Sequence, residues 1–398
     1  MKTENLTFSV ARLPRIEFGS GAFQKLPACI KNFGSNVLLI TGAHSFLNSS
    51  AWSWLRQQGI EQKLSFHVEC ISGEPSPEQV DKLAELYREQ NIDVVVAIGG
   101  GSPLDAAKAI AGLLRTASSV LDFLEGVGPE LTYSGPSVPF IAVPTTAGTG
   151  SECTKNAVLS TQGSEGFKKS FRDDKLVAEY AIVDPDLLIS CPSSLIAANG
   201  MDALTQLLES YTSLRANIFT DTLAISGIQA VKDSLVFWFE HAEDEPEITI
   251  TVRQHMAYAS MLSGITLAQV GLGSVHGLAS PLGAFFPIPH GVVCGTLVAG
   301  ATAMNLEAIQ KRDAENVALI KYRKLAQVLC DDPSADADDL VQLLTDWTVR
   351  MELPKLNAFG ISLKDLDHIV KHARGSSMQT NPIVLTDDEL FSILEQRL

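Results

Sequence analysis

Hydrophobic positions follow two regimes along this chain. Up to about residue 190, short apolar runs alternate with amphipathic stretches. The runs Val37-Leu38-Leu39-Ile40, Val94-Val95-Val96-Ala97-Ile98, Phe140-Ile141-Ala142-Val143 and Ala181-Ile182-Val183 carry no polar side chain. Strands apolar on both faces belong to parallel sheets covered by helices. Leu64 to Val68 reads as a further strand. Ser50 to Gln58 and Asp81 to Gln90 read as helices between the strands, the second with Leu83 and Leu86 on one face. Beyond Cys191 the pattern changes. Ser194 to Leu214, Thr220 to Phe239, Arg253 to Val270 and Gly291 to Met304 repeat at helical period, as do segments past Glu315. The expectation is an α/β open-sheet domain over residues 1–188 and an all-helical domain over residues 189–398.

One helical stretch stands apart. Between Arg253 and Glu307 there is no Asp, Glu, Lys or Arg, and the titratable groups near neutral pH are His255, His276 and His290. Gly271, Gly273, Pro281, Pro287 and Pro289 interrupt any membrane-spanning helix there, so a buried core beside a cleft is expected. Histidines in such a core need partners, because burying them unpaired is costly.

Composition narrows the class. The 398 residues are 45% hydrophobic and 19% charged, enough for a sizeable core. With 46 acidic against 30 basic residues, the net charge of −16 argues against nucleic acid or an anionic membrane as the main partner. The six cysteines are scattered with no CxxC pair, which reads as reduced thiols. Met1 to Val10, with Lys2 and Glu4, has no apolar signal region. A cytoplasmic enzyme is the expectation.

Four constellations carry candidate chemistry. In Gly99-Gly100-Gly101-Ser102-Pro103-Leu104-Asp105-Ala106-Ala107-Lys108, a strand runs through glycines into a helix. Backbone N–H groups at such a helix start suit a pyrophosphate, although glycines after a strand also make simple turns. Pro144-Thr145-Thr146-Ala147-Gly148-Thr149-Gly150-Ser151-Glu152 crowds hydroxyls and glycines after the next strand. Two such loops at neighbouring strand ends point to a dinucleotide. Asp202 lies near a helix start, where the dipole alone favours a carboxylate, and Gln206 lies one turn on. His276 and Pro289-His290-Gly291 form the fourth set. Prolines break any continuous helix between the two imidazoles, so they converge through a loop if at all. Two histidines in a charge-free segment, with a candidate Asp elsewhere, make a divalent metal plausible.

Together these motifs resemble the iron-containing (group III) alcohol dehydrogenase family. Phe18-Gly19-Ser20-Gly21, GGGSxxDxAK, PTTAGTGSE, Ala181-Ile182-Val183-Asp184-Pro185, Gly200-Met201-Asp202-Ala203-Leu204, the two-histidine segment and Asn381-Pro382 match nearly end to end. The resemblance implies a dinucleotide-binding α/β domain and a helical domain, the architecture of dehydroquinate synthases, with a metal in the cleft between them. It implies that Gly100, Gly101, Ser102 and Asp105 hold the pyrophosphate region. Thr145, Thr146, Thr149 and Ser151 would contact the coenzyme, with Lys168 on its ribose side and Gly42 after the first strand. Asp202, His276 and His290 would bind the metal. A homodimer and a small alcohol or aldehyde substrate are further implications.

Two departures from the family pattern bear on chemistry. Gln206 replaces a ligand histidine and could add only a weak amide oxygen. Ser280 replaces a second histidine, and either relays a proton or fills space. Zinc or iron is therefore left open, zinc being the better match to three strong ligands. Where NAD-specific relatives have an Asp, this chain has Gly42, with His44 and Ser45 beyond it. That favours NADP(H) over NAD(H), since no carboxylate repels a 2′-phosphate. The expected activity is metal-assisted hydride transfer between NAD(P)(H) and an alcohol or aldehyde. The alternatives are a metal-free keto-acid reductase of the same fold and a nucleotide-binding homologue that has lost catalysis.

Overall fold

The computed structural model describes residues 7–244 and 246–398; residues 1–6 of the polar opening stretch lie outside the described residues. The strands are β1 (Arg15–Phe18), β2 (Asn36–Gly42), β3 (Ser65–Ile71), β4 (Val94–Gly99), β5 (Phe140–Pro144), β6 (Asn156–Thr161), β7 (Phe167–Arg172) and β8 (Tyr180–Val183). Six form one parallel sheet in the order β1-β8-β5-β4-β2-β3, and β6 pairs antiparallel with β7 outside it. Helices α1 (Leu26–Lys31), α2 (Ser50–Gln62), α3 (Pro77–Tyr87) and α4 (Gly101–Leu113) connect the sheet strands. Successive side chains on a strand point to opposite faces. Accordingly Leu38, Ile40, Val95 and Ala97 enter one apolar core, while Val37, Leu39, Val94 and Val96 enter the other. This is the physical basis of the uninterrupted apolar runs. The chain reverses its march across the sheet between β2 and β4, which places a crevice at their carboxyl ends.

From Ser193 onward the regular structure is helical: α5 (Ser193–Thr212), α6 (Ile218–Lys232), α7 (Leu235–Glu240), α8 (Pro246–Val270), α9 (Ser274–Phe285), α10 (His290–Arg312), α11 (Ala318–Leu329), α12 (Ala337–Arg350), α13 (Leu363–His372) and α14 (Asp387–Glu395). These helices share one large apolar core. Helix α10 is long and apolar enough to cross a membrane, but 83% of its apolar window is buried inside the fold, as for a core helix. The two halves meet closely where Gly150 crosses α8. A Cβ on Gly264 would lie 2.0 Å from the Gly150 carbonyl oxygen, so both positions need glycine for backbone to touch backbone.

Two sequence expectations are corrected. The stretch Thr220 to Phe239 is two helices, because Ser234 leaves helical geometry (φ −136°) and turns its hydroxyl to His255 Nδ1 at 3.1 Å. Pro281 does not break its helix. It lies within α9, where burial of Leu278, Ala279 and Leu282 offsets the roughly 3 kcal/mol a helix-interior proline costs. The chain breaks instead at residues 286–289, just before His290 starts α10. Strand β1, only four residues long, and the β6–β7 hairpin were not anticipated; β7 reads Phe-Lys-Lys-Ser-Phe-Arg.

Candidate active site

A cavity of about 620 Å³ opens between the carboxyl edge of the sheet and the helical half. On the sheet side, α4 starts directly after β4 with Gly100 as its cap residue and no side-chain cap. Its first N–H groups are therefore unmatched by the helix itself. Gly100, Gly101 and Ser102 line the cavity there. A Cβ on Gly101 would lie 2.8 Å from Thr149 Cγ2, so the glycine lets the two loops approach.

The hydroxyl loop is pinned from beneath by a fully buried cation. Lys108 Nζ donates to the carbonyls of Ser151 (2.9 Å) and Asn156 (2.6 Å) and to Ser151 Oγ and Thr154 Oγ1, both at 3.0 Å. Asp105 accepts from Ser151 Oγ and from the Val158 N–H at 3.0 Å, and lies 3.4 Å from Lys108 Nζ. Its carboxylate is thus occupied in shaping the loop. Burial draws the Lys108 ammonium below its ordinary pKa against the pull of Asp105. Burial likewise pushes the neighbouring Glu152 up to about 7. Thr146, Thr149 and Ser151 line the cavity, whereas Thr145 is held by its backbone, its N–H donating to Gly99 O at 2.9 Å. Gly42 ends β2 beside Gly99, and nothing lies within 4 Å of where its Cβ would be.

Lys168, on β7, is not a solvated surface charge. Its side chain is 9% exposed, pairs with Glu74 Oε2 at 2.9 Å and lines the cavity. Ser280 Oγ donates to the Lys168 carbonyl at 3.0 Å, which fits space-filling better than a proton relay.

The helical wall brings together the three predicted ligands. Asp202 Oδ1 lies 3.3 Å from His276 Nε2 and 3.8 Å from His290 Nε2. Helix geometry explains the convergence. A Cβ on Gly291 would lie 2.5 Å from the Ala198 carbonyl oxygen, so glycine lets the start of α10 press against α5. The start of α9 is held by Asn381 Oδ1 on the Ser274 N–H (3.0 Å) and Glu209 Oε1 on the Val275 N–H (2.7 Å). Glu209 Oε2 also lies 2.6 Å from His276 Nδ1. A carboxylate there keeps Nδ1 protonated; burial lowers the imidazole, but Cys294, Glu209 and Asp202 outweigh it and raise its pKa well above the ordinary value, so Nε2 must release a proton to take a cation. Gln206 borders the same cavity, but its Oε1 accepts from Ser263 Oγ at 2.6 Å.

Sequence reasoning missed Cys294. Its Sγ lies 3.6 Å from His276 Nε2 and 3.8 Å from His290 Nε2. The ligand atoms of Asp202, His276, His290 and Cys294 all fall within 4.8 Å of one another. The signal was present as the i, i+4 spacing from His290. Also missed were Lys108 and Glu209, which hold rather than line the site.

Electrostatics favour a cation here. Burial raises Asp202, but His290 and His276 outweigh it and hold the carboxyl at about 2. Burial lowers His290 to about 4, so its imidazole is neutral at pH 7, as a metal ligand must be. Among the described residues His290 Nδ1 is buried without a hydrogen-bond partner. This donor set therefore fits a divalent metal.

Comparison with known proteins agrees with the geometry. The family description "Iron-containing alcohol dehydrogenase" matches residues 14–185, and "Fe-containing alcohol dehydrogenase family, C-terminal" matches residues 196–398. The chain is 33% identical to alcohol dehydrogenase 4 of Schizosaccharomyces pombe, over 96% of this chain and 87% of that one. It is 32% identical to an NADPH-dependent butanol dehydrogenase of Clostridium saccharobutylicum, over 96% of each. A crystal structure of 1,3-propanediol oxidoreductase superposes with a TM-score of 0.87 at 26% identity, covering 98% of this chain and all of the other.

Proposed function

The chain belongs to the iron-containing alcohol dehydrogenase family, an NAD(P)-dependent oxidoreductase acting on CH–OH groups, and from that premise we propose how its residues divide the work. Asp202, His276 and His290 hold one divalent cation. When bound, that cation acts as a Lewis acid on the substrate oxygen. Glu209 keeps His276 in the ligating tautomer. Across the cavity, the N–H groups of Gly101 and Ser102 receive the coenzyme pyrophosphate, with Thr146 and Thr149 donating to its nicotinamide half and Ser151 bordering it. Lys108 positions that loop from beneath, and Asp105, which also lines the cavity, anchors Ser151. A nicotinamide coenzyme held there would supply hydride exchange with the carbon of a small alcohol or aldehyde.

NADP(H) is the preferred coenzyme in this reading. The open space at Gly42, with His44 exposed beyond it, admits a 2′-phosphate and offers no carboxylate to repel it. Zinc suits the resident set better than iron because Gln206 supplies no fourth nitrogen. We also propose a functional division after residue 188, a homodimer and a cytoplasmic location.

The single observation that carries the proposal is the convergence of one carboxylate and two imidazoles on a cavity whose opposite wall is an uncapped helix start. It favours metal-dependent catalysis over the metal-free keto-acid reductase. The test is NADPH oxidation with a panel of aldehydes, before chelation, after it and after reloading with zinc or iron(II). Turnover that chelation abolishes and metal restores is expected. Undiminished turnover by the stripped protein would contradict it.

A further inference from the structure

The helix position that lost its histidine, Gln206, offers only an amide oxygen, a weak donor that already accepts from Ser263 Oγ at 2.6 Å. Another donor lies within reach. Cys294 is fully buried, one helical turn after His290, with its Sγ facing both imidazoles. We propose that Cys294 Sγ is the fourth protein donor to the cation, so that this chain binds it through an Asp-His-His-Cys set that selects zinc over iron(II). The inference rests on the metal site proposed above and deepens it.

The distances carry the argument. A cation held tetrahedrally by nitrogen and oxygen at ~2.1 Å and thiolate sulfur at ~2.3 Å sets donor edges of about 3.4 Å for N–O and about 3.6 Å for S–N. Here Asp202 Oδ1 stands 3.3 and 3.8 Å from the two Nε2 atoms, and Cys294 Sγ stands 3.6 and 3.8 Å from the same two. Four side chains from three helices thus match four of the six edges of one coordination shell, and the other two are no longer than 4.8 Å. Simple packing of a thiol against imidazoles does not require the carboxylate to complete the figure.

Position relative to the cavity agrees. Asp202, His276 and His290 border it, whereas Cys294 does not. The sulfur therefore approaches from the protein side, and a substrate oxygen would enter from the cavity side as a fifth ligand, the shell expanding from four to five. On loading, the S–H bond breaks and its proton leaves to solvent, while the sulfur lone pair forms the bond to the ion. A soft thiolate shifts preference from iron(II) toward zinc.

The test uses the intact chain, stripped with chelator and reloaded with cobalt(II) as a spectroscopic substitute for zinc. One cobalt per chain with a near-ultraviolet sulfur-to-cobalt charge-transfer band is expected. Cys294→Ser, which preserves size, and Cys294→Ala should each lose the band while still binding cobalt. Their zinc affinity, measured by competition with a chromophoric chelator, should fall by at least the tenfold to hundredfold that loss of an outer-shell partner costs. Affinity for iron(II) should fall less. Stoichiometric cobalt in the unsubstituted chain without the band would overturn the thiolate ligand and leave the Asp-His-His reading intact. No cobalt uptake by the unsubstituted chain would overturn the metal site itself.

Discussion

The two walls of the cavity are built on different principles. The sheet wall is contiguous chain: strand, loop and helix start follow one another, and the candidate donors are largely backbone N–H groups and short hydroxyls. The helical wall is assembled from side chains at residues 202, 276, 290 and 294, placed by helices that pack far along the sequence. Backbone donors survive most substitutions but depend on loop position. A ligand cluster tolerates loop movement but fails with a single side chain. Variants should therefore separate the two walls by the kind of loss they cause.

The largest effect is expected on the helical wall. Asp202→Asn keeps the shape but removes the anionic donor, so metal content should collapse. Turnover should fall by about a thousandfold or more, several kcal/mol of Lewis-acid stabilisation being lost. Coenzyme affinity, read by fluorescence titration, should stay within a few-fold. Comparable losses of coenzyme and metal binding would show that the walls are not independent.

Next comes the pin beneath the sheet wall. Lys108→Met removes a buried cation from Asp105, Ser151, Thr154 and Asn156, and should cost about 3–5 kcal/mol in urea unfolding. Coenzyme binding should weaken while the metal stays bound. A smaller effect is expected for Gly42→Asp, which should raise the KM for NADPH by roughly tenfold, about 1.4 kcal/mol, and spare NADH. Equal effects on both coenzymes would remove the case for a 2′-phosphate at this position.

A separate test, of pH dependence, concerns Glu152. Burial raises its carboxyl from 4.5 to about 7 in the folded chain. A group raised on folding contributes stability that is complete below its unfolded pKa and disappears as pH rises through the folded value. The Tm should therefore fall between about pH 5 and about pH 8 by more than in Glu152→Gln. Parallel Tm curves would mean that Glu152 is not held protonated.

The same contrast explains what was legible in the sequence. Strands β2, β4 and β5 showed themselves because both faces are buried, and the loops after β4 and β5 showed themselves because glycine and hydroxyl residues sit together. The four-residue β1 is too short for its alternation to stand out, and the lysine-bearing β7 lacks an apolar signature. Asp202, His276 and His290 could be paired only through family resemblance, because periodicity does not say which helices touch. Cys294 escaped because a buried cysteine reads as packing until its neighbours are known. Pro281 misled because local propensity was outweighed by tertiary burial.

The central claim is one cation shared by the helical wall. Crystals of the zinc-loaded chain, measured on both sides of the zinc absorption edge, test it most directly. The account predicts a single anomalous peak bonded to Asp202 Oδ1, His276 Nε2 and His290 Nε2. Fully loaded crystals with no peak among these three atoms would contradict it.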